Sequence, residues 1–223
     1  MIITIDGPVA AGKTSAARRL ADRIGFIVLD TGAIYRAVAL ESQRAGADWL
    51  DEPVVAGIAG QLDIQFRSSD GIECIEVAGR EVTDAIREPQ ISRGASVVSA
   101  HPGVRQALLS LQRAYGAAHD VIAEGRDVGT VVFPDAECKF FLTATPEVRA
   151  RRRHLQLQQK GIEKGLDAVL RELQERDHRD SNRAVAPLVP AADAVHIDSS
   201  TMNLDQVIDQ LWQHLPVPIR GAL

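Results

Sequence analysis

The sequence predicts an α/β domain of three layers, with a five-stranded parallel sheet between helices, a small antiparallel β insert and a helical lid. Three observations lead there. Five short apolar runs, at 1–5, 26–29, 120–123, 138–142 and 194–197, are separated by segments of helical period. Residues 63–83 instead alternate apolar and polar, the pattern of a half-buried antiparallel meander. The chain also opens on a strand that feeds directly into a glycine-bounded turn and a helix.

That opening sets the chemistry. Met1–Ile5 precedes Gly7-Pro8-Val9-Ala10-Ala11-Gly12-Lys13-Thr14, which meets G-x-x-x-x-G-K-[ST] at every specified position. Such a loop turns successive backbone N–H groups inward as a nest for phosphate oxygens. Lys13 reaches the β- and γ-phosphates, Thr14 offers a hydroxyl to a nucleotide-bound Mg²⁺, and Ser15 completes the expected ATP-binding run. Helix 13–24, with Ala17, Leu20, Ala21 and Ile24 at helical spacing, points its positive end at the same place.

The next unit repeats the plan. Gly25 caps the helix, Phe26–Leu29 is a strand, and Asp30-Thr31-Gly32 opens a helix bearing Ile34, Ala37, Val38 and Leu40 on one side. Tyr35 and Arg36 fall in its first turns, just past a strand end, where ligands gather in α/β sheets. A short helix follows Pro53. In the meander, Ser68-Ser69-Asp70-Gly71 is the turn between Ile64–Phe66 and Ile72–Ala78, and Glu81–Thr83 follows Gly79. A helical segment over 93–99 breaks at His101-Pro102-Gly103, and Val104, Leu108, Leu111 and Tyr115 mark a buried helix face. Strand 120–123 runs into the charged turn Glu124-Gly125-Arg126-Asp127-Val128-Gly129. Strands 138–142 and 194–197, a closing helix at 203–214 and a frayed tail, 216–223, complete the chain.

Composition narrows the function. With 223 residues, 45% hydrophobic and 25% charged, the chain can bury a substantial core, and a net charge of −5 gives no electrostatic case for nucleic acid or a membrane surface. No apolar run approaches the roughly 18–20 residues of a membrane span, and no leader pattern precedes the loop. Cys74 and Cys138 lie in separate strand-like runs and are expected as small hydrophobes, and the histidines show no ligand spacing. A cytoplasmic monomer is the expectation.

Arginine density is the second signal. Arg149, Arg152 and Arg153 share a face of a helix beginning at Pro146, and Arg176, Arg179, Asp180 and Arg183 share a face near a later helix end. Arginine's planar fork suits charge developing on a transferred phosphoryl group, and Gly161 and Gly165 are placed to hinge a lid over 145–165. So many internal cations beside one phosphate loop imply an anionic acceptor as well. No Asn-Lys-x-Asp run supports a guanine-nucleotide switch.

GPVAAGKT, LDTGAIYR, the meander, AEGRDVGTVVFPDA and ERDHRDSNRAVAPLVPAADA together, in order and along essentially the whole chain, resemble the bacterial cytidylate kinases, which are nucleoside monophosphate kinases. The resemblance implies a single P-loop kinase domain over 1–223, with a 63–90 acceptor-binding insert, that moves the γ-phosphoryl of ATP·Mg²⁺ to CMP or dCMP. It implies Thr31, Arg36 and Arg126 at the acceptor phosphate, Ser96, Arg105 and Asp127 at the base, Arg176 and Asp180 at the sugar, and Tyr35 among the acceptor-binding residues. Arg183 would lie near the phosphates, and Arg149 and Arg153 would close on ATP. Lys13, Arg126, Arg176 and Arg183 would form the catalytic set. The loop departs from the family pattern at Val9, where a small polar residue or glycine is usual. The alternatives are a P-loop kinase for dTMP, AMP, UMP or shikimate, and a non-catalytic nucleotide-binding module.

Overall fold

The computed structural model describes residues 1–69 and 72–217. The expected turn residues Asp70 and Gly71, and the tail from 218, lie outside the described residues. The chain divides into two compact units, Met1–Val28 with Gly116 onward, and Leu29–Tyr115.

The first unit begins with β1 (Ile2–Asp6), α1 (Lys13–Ile24) and the start of β2 (Ile27–Asp30). It resumes with β6 (Val121–Gly125), β7 (Cys138–Thr143), α6 (Pro146–Gln159), α7 (Leu166–Asn182), β8 (Val195–Asp198) and α8 (Leu204–His214). The strands form one five-stranded sheet in the order β2-β6-β1-β7-β8. β1 is therefore central, paired in parallel with β6 (Ile3 opposite Ile122) and with β7 (Ile3 opposite Cys138). Chain order reverses beside β1, and in open α/β sheets ligands gather at the strand carboxyl ends at such a point.

Local chemistry explains the elements. The central strands are mostly apolar, with Thr4 and Lys139 buried among the apolar residues, because both faces of the sheet are covered. Ile3, Ile5, Leu20, Ile122, Phe140, Leu142 and Leu211 are fully or almost fully buried in one cluster, each such side chain contributing about 1.5–3 kcal/mol. Gly25, at φ +71°, ends α1 in the left-handed region open to glycine. Thr145 caps α6 and Asn203 closes a capping box on α8. A second cluster, Ala150, Leu157, Val169 and Leu173, joins α6 to α7, and Val9 and Ala10 of the phosphate loop pack against it.

The second unit holds α2 (Thr31–Arg44), α3 (Glu52–Gly60), an antiparallel sheet of β3 (Ile64–Ser69), β4 (Ile72–Val77) and β5 (Arg80–Glu81), then α4 (Pro89–Val98) and most of α5 (Pro102–Ala118). The expected insert, 63–90, lies within it. Phe66 meets Tyr115 edge to face at 5.5 Å, and Trp49 packs on Gly94, where a Cβ would lie 2.6 Å from the indole.

Three details differ from what the sequence predicts. Ser68 and Ser69, expected in the turn, end β3 opposite Glu73 and Ile72. α4 starts at Pro89 rather than 93, because proline at the first helical position loses no hydrogen bond. The charged turn after β6 is followed by a π-helical turn, Val128–Val132, closed by Val132 N–H to the Asp127 carbonyl and Phe133 N–H to the Val128 carbonyl. Cys138 is buried, and its thiol is pushed up to about 11 chiefly by that burial. Cys74 is only half-buried, and both thiols are free.

Candidate active site

The loop geometry follows from its glycines. Gly7, at φ +149°, passes so close to β7 that a Cβ would lie 2.0 Å from the Leu142 carbonyl oxygen. Gly12 adopts φ +101° at the entry to α1, and between them Ala10 takes φ +60°, a left-handed conformation unusual for alanine. Lys13 is buried and donates from Nζ to the Pro8 carbonyl at 2.8 Å, so the lysine spans its own loop. Thr14 donates its hydroxyl to Glu124 at the end of β6. Pro8 and Ala11 are buried, and Ser15 is exposed.

Beside the loop stands a knot of carboxylates and cations. Asp6, 3% exposed, accepts Val128 N–H on Oδ1 at 2.9 Å and Gly129 N–H on Oδ2 at 2.7 Å. Burial pushes its carboxyl up to about 6, against the pull of those two N–H groups, and Asp127 adds to the rise. Burial also lowers Lys13 to about 7, with Arg126 and Arg176 lowering it further and Glu124 and Asp6 opposing. Arg126 donates from Nε to Asp180 Oδ2 at 2.9 Å. Burial works against its charge, but Asp180, Glu124 and Asp177 outweigh that and raise it. Burial likewise works against the Asp180 carboxylate, and Arg126, Arg176 and Arg183 hold it low. Arg183 donates to Asp127 Oδ1 at 2.8 Å, with both side chains 7% exposed, and to the Ala186 carbonyl at 2.5 Å. The turn and α7 thus meet through two pairs of opposite polarity, Arg126 to Asp180 and Asp127 to Arg183.

The arginines of α6 have parted company. Arg149 is buried and ion-paired with Asp177 at 2.7 Å. Arg152 donates to the Ala11 carbonyl and to Ser199. Arg153, half-buried, meets Gln156. On α7, Arg176 is half-buried whereas Arg179 is exposed, so the expected shared face holds for Arg176 and Asp180, and Arg183 lies just past the helix as its extended C-cap.

In the second unit, Thr31 is buried at the first turn of α2. Asp30 caps that helix through Ala33 N–H at 2.9 Å and holds Arg36 at 2.7 Å. Arg105 is buried, lies 5.5 Å over the Tyr35 ring and donates to the Ser99 carbonyl. Ser96 is buried with no protein partner for its hydroxyl. That leaves the hydroxyl with unused bonding capacity.

Asp6, Glu124 and Asp177 carry no site assignment from the sequence, and Arg152 is placed there only by its helix face. For Asp6 and Glu124 a signal existed: each is a carboxylate at the carboxyl end of an apolar strand, Glu124 on the strand beside the loop strand.

Fold and site define a P-loop protein with internal arginines beside its glycine-bounded loop. The family model described as cytidylate kinase matches residues 3–216. Named cytidylate kinases are similar: that of Pseudomonas aeruginosa is 49% identical, covering 96% of this chain and 94% of its own, and that of Bordetella bronchiseptica 50%, covering 93% and 91%. The chain belongs to the cytidylate kinase family. A crystal structure of an uncharacterized protein from Eubacterium ventriosum shares the fold alone, with TM-score 0.51 and 10% identity over 96% of this chain and 97% of that one.

Proposed function

We propose that this protein transfers the γ-phosphoryl group of ATP to CMP or dCMP, giving ADP and CDP or dCDP. The observation that carries the reading is the grouping of Lys13 with Arg126 and Arg176, each acting on the lysine's charge, beside a glycine loop that seats phosphate. In-line phosphoryl transfer needs little covalent chemistry, so positioning and cationic stabilisation supply the catalysis and no protein nucleophile is required.

On this reading the loop from Gly7 to Ser15 binds ATP, and Lys13 meets its β- and γ-phosphates. Arg126, Arg176 and Arg183 neutralise charge on the moving phosphoryl group, and Arg153 of α6 is assigned to ATP. Acceptor recognition is assigned to Thr31, Tyr35, Arg36, Ser96 and Arg105 in the second unit and to Arg126, Asp127, Arg176, Asp180 and Arg183 in the first. A cytosine edge carries an amine donor beside acceptors, which a carboxylate, a hydroxyl and a guanidinium read between them.

Mg²⁺ fits the residues present. Thr14 donates its proton to Glu124, which leaves its oxygen lone pairs available, and Asp6 and Glu124 add hard oxygen donors nearby. Among the described residues no group of three or more His, Cys, Asp or Glu forms a cage, so the ion would arrive with the nucleotide. Once bound, it would neutralise charge on the β- and γ-oxygens. No helix among the described residues is long and apolar enough to cross a membrane. A cytoplasmic monomer acting on free nucleotides is the setting proposed.

The test is ADP release with CMP, dCMP, UMP, AMP, dTMP and shikimate, with and without Mg²⁺. CMP and dCMP should lead by a wide margin and only with the metal. Equal turnover across the panel would remove the base assignment.

A further inference from the structure

Arg149 was expected as a nucleotide ligand, yet its fork is already committed on three sides. Nε donates to the Ala144 carbonyl just past β7 at 2.9 Å. The Nη1 group donates to the Val9 carbonyl of the phosphate loop at 3.2 Å and meets Asp177 Oδ2 on α7 at 2.7 Å. The side chain is 5% exposed. Val9 is held twice, since its side chain also packs on the apolar cluster shared by α6 and α7. That contact gives a bulky residue a reason to stand at Val9.

Asp177 looks both ways. It pairs with Arg149, and its negative charge also acts on Arg126. Its other oxygen, Oδ1, is buried with no protein partner. Arg176 precedes Asp177 in the helix, and Asp180, the partner of Arg126, follows one turn later. A helix is stiff along its axis, so whatever fixes Asp177 also fixes Arg176 and Asp180.

We propose, on the phosphotransfer reading, that Arg149 and Asp177 are positioning residues that lock α7 to the phosphate loop, so that Arg176 and Asp180 stand in register with Lys13 and Arg126. Arg149 acts through α7 and does not touch the nucleotide. Lysine cannot substitute, because one ammonium cannot serve two carbonyls and a carboxylate in a plane.

Arg149→Lys, Asp177→Asn, the double variant and the apolar pair Arg149→Met with Asp177→Leu are compared with the parent protein. kcat with CMP, calorimetric Kd for ATP, and hydrogen exchange along α7 are measured for each. Each single variant should lower kcat by about 10- to 100-fold while Kd for ATP stays within about threefold, and the double should be little worse than either single. Exchange should quicken over 166–182 and not over 13–24. The apolar pair keeps the protein folded if a charged single does not, and it too should be slow.

A nucleotide ligand predicts otherwise: Arg149→Lys would weaken ATP about tenfold or more and Asp177→Asn would leave ATP and kcat untouched. That result overturns the proposal, as does full turnover by the apolar pair or unchanged exchange in α7 of Asp177→Asn. Absence of CMP turnover in the parent protein would sink the phosphotransfer reading instead, and the exchange data would still decide the lock.

Discussion

Arg126 donates its Nε proton to Asp180 at 2.9 Å, joining residues 54 positions apart in the chain. The carboxylate orients the guanidinium and keeps it charged despite burial. Arg126→Lys retains the charge but loses the fork, so kcat should fall about 10²–10³-fold with ATP affinity little changed. Steady-state kinetics alongside calorimetry checks this. A kcat within threefold of the parent would take Arg126 away from the reacting phosphate.

Lys13 should take up a proton when ATP binds. With its folded pKa near 7, about nine-tenths of Lys13 is neutral at pH 8 in the free protein, and phosphate charge returns it to the ammonium form. Calorimetry of ATP binding at pH 8, in buffers of differing ionisation enthalpy, should show uptake approaching one proton. Lys13→Met should abolish the uptake and the turnover without lowering Tm at neutral pH. Its folded pKa lies below the unfolded one, so the buried lysine withdraws stability as pH falls from about 10 toward 7, and the variant escapes that loss. No uptake in the parent would contradict this account.

Asp6 has the opposite pH dependence. Its carboxyl is raised from 3.8 to about 6, so its contribution to stability is fully present below pH 3.8 and lost as pH rises through 6, about 3 kcal/mol in all. Asp6→Asn removes that loss but leaves Val128 or Gly129 N–H without a good acceptor, at about 1 kcal/mol or more. The variant should therefore gain on the parent between pH 4 and 7 in urea denaturation, while its kcat falls because the turn carrying Arg126 and Asp127 loosens. Parallel stability curves would show that Asp6 titrates normally.

Ser96→Ala should leave stability unchanged or improve it by up to about 1 kcal/mol, because it deletes a buried hydroxyl that has no protein partner. The same substitution should raise KM for CMP several-fold and leave that for ATP alone. A loss of Tm with no change in KM would make Ser96 a packing residue.

The loop responds to single methyl groups in opposite directions. Gly7→Ala drives a Cβ into the Leu142 carbonyl and should abolish ATP binding. Ala10→Gly relieves a left-handed alanine at about 1–2 kcal/mol, partly offset by the freer unfolded chain, so Tm should rise slightly. A fall in Tm would mean that the Ala10 methyl packs too well to lose.

Much of this was legible in the residues. The loop motif, the β-branched strands and the caps at Gly25 and Asp30 placed most of the sheet and helices, because each rests on local chemistry. Helical spacing put Arg149, Arg152 and Arg153 on one face, but spacing names a face and not a partner. Asp177, which claims Arg149, comes from another helix. The strand-end position marks Asp6 as a candidate, but its burial has no sequence trace because the turn after β6 folds over it only in the tertiary structure. The π-helical turn has no periodic trace over five residues.

The crossed pairs between the turn and α7 have a consequence for how that helix can dock. Were the chain here to shift register by three residues in one direction, Arg183 would arrive opposite Arg126, and in the other Asp180 would arrive opposite Asp127. Either slip sets like against like, so the alternation of sign admits a single seating.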